Sequence, residues 1–154
     1  SDYISFDCGI FNPYHGMTLT PGDGSSIYYA LYDINGDGFK ECLFTSDPGI
    51  EKAEHPGYYD IWTNDGTEIH HVLAGGYRSF QLITDNGEIL NYGSGGATIG
   101  RYDVYSFNSK GEVNVVDSHF HETYDDNIAA EIEKFLERHP QRDIALRWFL
   151  IPRR

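Results

Sequence analysis

At 154 residues the chain fits one domain, 1–154, and is long enough to bury a substantial core. A formal charge of −13 argues against nucleic acid and anionic lipid as partners, since both are polyanions, and suits solubility, cation binding or a basic partner. No apolar run approaches the roughly 20 residues needed to span a bilayer, which speaks against membrane insertion, and 12 Tyr with 9 Phe lean the composition towards β structure.

The chain opens at Ser1, without Met and without a basic-then-apolar signal segment, as expected of a processed or trimmed chain whose export segment has been removed. Residues 1–26 are read as an N-terminal segment. Cys8 and Cys42 fit no zinc pattern; two reduced, buried thiols are preferred over a Cys8–Cys42 disulfide. From 27 to 120, four segments share one layout: an aromatic-rich run, a Gly-containing turn and a second apolar run. They are SIYYALYDINGDGFKECLFTS, GYYDIWTNDGTEIHHVLAGG, SFQLITDNGEILNYGSGG and RYDVYSFNSKGEVNVVDSHF. Asp65-Gly66, Asn86-Gly87 and the stretch Asn108 to Gly111 supply the positive φ that tight hairpin turns require.

These segments predict an antiparallel meander of about four hairpins. It is mainly β, a strongly twisted sheet with barrel-like or partial-propeller-like curling. GSGGATIG at 93–100 is too poor in side chains to pack as a strand and is read as a loop or bulged bend. No helix pattern or Lys-Ser/Thr pair follows it, which argues against a phosphate cradle. At 125–139 the period changes. Ile128, Ile132, Phe135 and Leu136 share one helical face, Asp125, Asp126 or Asn127 can cap it, and Pro140 stops it. The alternating DIALRWFLI then predicts a final strand, 142–151, with Ile144, Leu146, Trp148 and Leu150 on one face.

The first turn carries the most explicit chemistry. In DINGDGFKE, Asp33, Asn35 and Asp37 hold calcium-loop positions one, three and five, Gly38 makes the turn, the Phe39 carbonyl takes position seven and Glu41 position nine. Alternating hard oxygens that converge on a point suit a hard divalent cation. Calcium fits better than magnesium because it accepts many protein oxygens in irregular geometry. An EF-hand would place an apolar residue at position eight and a bidentate Glu at twelve, where this chain has Lys40 and Phe44. The loop is therefore expected inside a β-hairpin, 33–41, with Glu41 closing it and Ca²⁺ acting structurally.

This combination resembles the Asp-x-Asn-x-Asp-Gly loops of integrin-type FG-GAP repeats. YALYDINGDG, followed by tyrosine-rich hairpins, GSGGA and a late helix, also resembles secreted or lipoprotein-like β-rich domains of Gram-positive gut bacteria. The likeness implies a bacterial, exported, cell-surface or extracellular domain with Asp33, Asn35, Asp37, Phe39 (carbonyl) and Glu41 as its ligands. The FG-GAP loop recurs in several propeller blades; this chain has one copy.

Two weaker constellations remain. Asp117, His119 and His121 alternate on a predicted strand, so all face one side and can grip zinc, with His70, His71 or Glu122 completing a hydrolase site. The competing reading is a solvated strand end. Tyr28, Tyr29, Tyr32, Tyr58, Tyr59, Trp62, Tyr77, Tyr92, Tyr102 and Tyr105 exceed what one small core can hold, so some are candidates for an exposed platform that binds a glycan or a protein partner; the alternative is half-buried sheet residues. No nucleophile motif accompanies them. The expected function is thus a calcium-binding structural or recognition module, with a carbohydrate-binding module and a zinc hydrolase as alternatives.

Overall fold

The computed structural model describes residues 4–6, 9–11, 27–45, 59–75 and 78–151. Strands β1 (Ile4–Phe6) and β2 (Gly9–Phe11) pair with each other. The four expected hairpins follow: β3 (Tyr28–Tyr32) with β4 (Glu41–Thr45), β5 (Asp60–Asn64) with β6 (Ile69–Ala74), β7 (Ser79–Ile83) with β8 (Ile89–Ser94), and β9 (Gly100–Phe107) with β10 (Val113–His121). Helix α1 (Asp126–Arg138) and a short β11 (Phe149–Leu150) complete the chain.

The hairpins form two antiparallel sheets rather than one curled sheet, in the orders β11-β3-β4-β5-β6 and β10-β9-β8-β7, and these do not close into a barrel. The break falls between β6 and β7. There the Gly75 amide donates to the Tyr59 carbonyl at 2.7 Å, and the buried Gln81 of β7 receives the Tyr59 amide at 2.6 Å through Oε1. This places β7 against the start of β5 rather than beside β6. The consecutive strands β3–β6 and β7–β10 run up and down within their sheets, and β11 adds antiparallel beside β3.

Strand alternation sorts the core into layers. On β4, Cys42 and Phe44 join Ile27 and Ile151 on one face, while Leu43 turns the other way. Every β4 residue is buried, as expected of a strand covered on both sides. Leu43 and Ile61 of the first sheet meet Ile83, Ile89 and Phe107 of the second in a shared core, which Ile34 enters from the acidic loop. On the far side of the second sheet, Leu90 and Val104 receive Phe135, the buried residue of α1. Asp125 caps this helix by accepting the Ile128 amide at 2.8 Å, and Leu136 stays exposed.

The final segment keeps its expected alternation but pairs over fewer residues. Ile144, Leu146 and Trp148 pack on the shared core, whereas the ladder to β3 comprises only Phe149 and Leu150, and Leu150 is exposed. The glycine-rich stretch is narrower too: Gly93, Ser94 and Gly100 belong to strands, which leaves 95–99 as the connection. Cys42 is buried and unbridged; Cys8 lies outside the described residues. Among the described residues no helix is long and apolar enough to cross a membrane.

Candidate metal centre

The loop between β3 and β4 is built from its own side chains. Asp33 accepts the Gly36 amide on Oδ1 and the Gly38 amide on Oδ2, both at 3.0 Å, Asn35 Oδ1 accepts the Asp37 amide at 3.2 Å, and Asp37 Oδ1 accepts the Phe39 amide at 2.9 Å. Such side-chain-to-backbone bonds replace ladder pairing and wind the chain inward. A carboxylate oxygen from each of Asp33, Asp37 and Glu41 then lies within 4.8 Å of the others. Two oxygens on one calcium ion, each about 2.4 Å from it, stand at most about 4.8 Å apart. The three acids are therefore close enough to share an ion.

They are not equivalent. Asp37 is exposed and Asp33 half-buried, while Glu41 is completely buried. Glu41 Oε1 accepts the Ile34 amide at 2.7 Å and Oε2 accepts the Thr63 hydroxyl at 3.0 Å. Burial pushes its carboxyl up to about 8, the neighbouring Asp37 and Asp33 charges adding to the rise against these two hydrogen bonds. A divalent ion would reverse that balance by supplying the positive charge the group lacks.

The other two expected ligands belong to the same loop in different ways. Asn35 directs its oxygen into the loop and donates its amide to the Phe107 carbonyl at 3.3 Å, which links the loop to the second sheet. For Phe39 the amide and ring are placed: the ring lies against Gly66, where a Cβ would come within 2.8 Å of it. Gly66, at φ 87, serves both its turn and this close approach. Gly87, at φ 75, does the same on the other side, where a Cβ would stand 2.8 Å from the Ile34 carbonyl. Asn64 donates to the Lys40 carbonyl at 2.8 Å. Arg142 donates to the Tyr32 hydroxyl at 3.1 Å and the Asp85 carbonyl at 3.3 Å. The acidic loop is thus wedged among the turns of three other hairpins.

A second group was missed in the sequence. Asp65, Glu68 and His70 also bring donor atoms within 4.8 Å of one another, at the β5–β6 turn. Its only sequence signal is acid–x–x–acid–x–His across an Asp-Gly turn. Asp65 Oδ1 accepts the Thr67 and Glu68 amides, which hold its carboxyl below the usual range.

Asp117, His119 and His121 do share a face of β10, but their donors do not converge. Asp117 Oδ2 accepts instead from His139 Nε2 at 2.6 Å and Arg138 Nη2 at 3.0 Å. His70 interacts with Asp65 and His71 with the buried Asp60, so neither completes that set. Tyr59 is buried, and Tyr28, Tyr29, Tyr32, Trp62, Tyr92, Tyr102 and Tyr105 are half-buried, with Tyr92 in tilted ring contact with Phe80 and Tyr102; Tyr58 and Tyr77 lie outside the described residues. No family model, curated protein or solved structure matches the chain.

Proposed function

We propose that this chain is a calcium-stapled β module of the bacterial cell exterior, in which the ion is structural and the module presents a surface to a protein or glycan partner. The convergence of the Asp33, Asp37 and Glu41 oxygens carries this reading. Asn35 Oδ1 and the Phe39 carbonyl complete the ligand set. The ion neutralises an acid cluster that also anchors Ile34 in the core shared by both sheets, so binding tightens the joint between them.

Calcium is favoured over magnesium because the donors are all oxygens drawn from an irregular loop. Affinity in the range of about 10⁻⁴ to 10⁻³ M, as in extracellular modules, leaves such a site empty in cytosol and filled outside the cell. That is the support for an exported location. Calorimetric titration with Ca²⁺ tests the reading, with Mg²⁺ as the contrasting ion. Saturable heat with calcium that vanishes in Asp33→Ala is the expected result. No heat and an unchanged melting temperature at about 10 mM Ca²⁺, many times the expected dissociation constant, would overturn it.

A further inference from the structure

The face that β7–β10 turns toward the first sheet changes character along its length. At one end Ile83, Ile89 and Phe107 lie in the shared core. Further along, the cross-strand row Gln81–Asn91–Asp103–Ser118 is polar throughout, and the last row is Ser79–Gly93–Arg101–Phe120. Strand alternation puts both rows on the core-side face, opposite the one that α1 covers.

The polar row is a support. Gln81 and Asp103 are both buried. Gln81 Nε2 donates to Asn91 Oδ1 at 2.7 Å while its Oε1 accepts the Tyr59 amide. Asp103 accepts Arg101 Nε on both oxygens, at 3.1 and 2.9 Å. These bonds fix two side chains without exhausting them. The Arg101 Nη groups and Asn91 Nδ2 have no hydrogen-bond partner among the described residues. A buried network of this kind sets the geometry of the groups it holds.

In the last row these donors border a hollow. Gly93 stands between Ser79 and Arg101, and a Cβ built on it would meet nothing within 4 Å. On the other side of Arg101, Phe120 is its direct cross-strand neighbour and is 53% exposed. Phe120 has no ring partner among the described residues. An exposed ring beside a fixed guanidinium and an amide donor is a lining suited to a sugar: the ring takes the apolar C–H face and the donors take the hydroxyls. Charge narrows the class. Asp103 offsets Arg101 within the site and the chain carries −13, so an acidic polymer is repelled. Size narrows it too. The space of one missing side chain fits a single sugar ring, whereas a stable protein interface needs about 800 Å² on each partner. Phe120 is the one large exposed apolar side chain in these two rows.

We propose that this outer end of the β7–β10 face is a subsite for one residue of a neutral glycan: the sugar stacks on Phe120, lies over Gly93 and takes hydrogen bonds from Arg101 and Asn91. The subsite rests on the glycan side of the recognition role proposed above and does not involve the acidic loop.

Cellohexaose, xylohexaose, maltohexaose and mannohexaose serve as neutral probes, each titrated to about 10 mM into the whole chain with calcium present. NMR shifts then read dissociation constants in the millimolar range. Saturable shifts centred on Gly93, Arg101 and Phe120 with at least one of these sugars are the expected result. Gly93→Val is the sharpest variant, because the added Cβ has room and φ at Gly93 is not positive, so the strand is kept while the hollow is filled. It should weaken binding by about tenfold or more, and Phe120→Ala by about tenfold, the scale of one aromatic contact. Calcium heat should be unchanged in both. Calcium heat that persists while none of the four sugars binds would overturn the subsite and spare the calcium reading. Shifts confined to other strands, or binding that survives Gly93→Val undiminished, would also overturn it. Sugar binding that depends on Gly93 and Phe120 in a chain that takes up no calcium would uphold the subsite and remove the staple.

Discussion

The acidic loop at 33–41 and the β10–α1 seam both bury ionisable groups, with opposite shortages. The loop gathers three carboxyls, pushes Glu41 up to about 8 and lacks a positive charge. The seam gathers the imidazoles of His119, His121 and His139 around a single carboxylate already in use and lacks a negative one. The loop is tolerable only while Glu41 keeps its proton or a counter-ion arrives. The loop's remedy is a cation from solution, whereas the seam's carboxylate is already matched by Arg138 and His139. The two also differ in anchorage: the loop is wedged among three hairpin turns, and the helix rests on one buried ring.

The most forceful way to break this contrast is Phe135→Ala. Removing a fully buried aromatic costs about 3–5 kcal/mol, and here the loss should be confined to the helix layer. Deuterium exchange should show α1 unprotected at neutral pH while β3–β5 keep their protection. Equal loss in both sheets would mean that helix and loop regions unfold as one unit.

Glu41 offers the next largest effect. Its folded-state value of about 8 lies above the ordinary 4.5, so between those limits the folded, ion-free chain holds a proton that the unfolded chain has released. Stability without calcium therefore falls as pH rises through that window, by roughly a few kcal/mol in total, and the contribution is fully present only below the lower limit. Urea melts in chelator across the window measure it. Glu41→Gln, which keeps the neutral shape, should flatten the slope.

Calcium sharpens the comparison from the other side. With a dissociation constant of about 10⁻⁴ to 10⁻³ M, about 10 mM Ca²⁺ adds roughly 1.4–2.7 kcal/mol, or roughly 3–10 °C in melting temperature for a chain of this length. Glu41→Gln should lose that gain, whereas His119→Phe should keep it. A calcium effect on α1 exchange equal to that on β3–β4 would erase the distinction between the regions.

What was legible in the sequence is what is local. DINGDGFKE places its candidate ligands within nine residues, Asn86-Gly87 makes its turn, and Asp125 caps the helix that follows it. The rest depends on partners far along the chain. Thr63, 22 residues away, holds Glu41 in the core, where the sequence pattern suggests only a ligand at the rim. Gln81, again 22 residues from Tyr59, ties β7 to the start of β5, away from the single curled sheet that the run of hairpins predicts. Asp117 reads as a zinc ligand beside His119 until Arg138 and His139 arrive from 21 and 22 residues downstream. Alternation along β10 gives the face on which Asp117 lies, and α1 decides what that face meets.

Asp117→Asn tests the weakest member of the contrast. The acid is 28% exposed at its side chain and Arg138 is 56% exposed, so solvent screens the pair and its removal should cost about 1 kcal/mol or less. The sign of its pH dependence is opposite to that of Glu41. Asp117 is held below its ordinary 3.8, chiefly by the His139 hydrogen bond and then by Arg138, so its contribution is present above that value and fades as pH falls through the lower folded-state one. In mild acid the Asp117–Arg138–His139 clasp is therefore intact in the unaltered protein and absent in the variant. Exchange at about pH 5 should consequently rise in the C-terminal half of α1 in Asp117→Asn. If the C-terminal half of the helix stays protected in the variant, Phe135 alone holds that end, and the seam's one satisfied charge has no mechanical part in it.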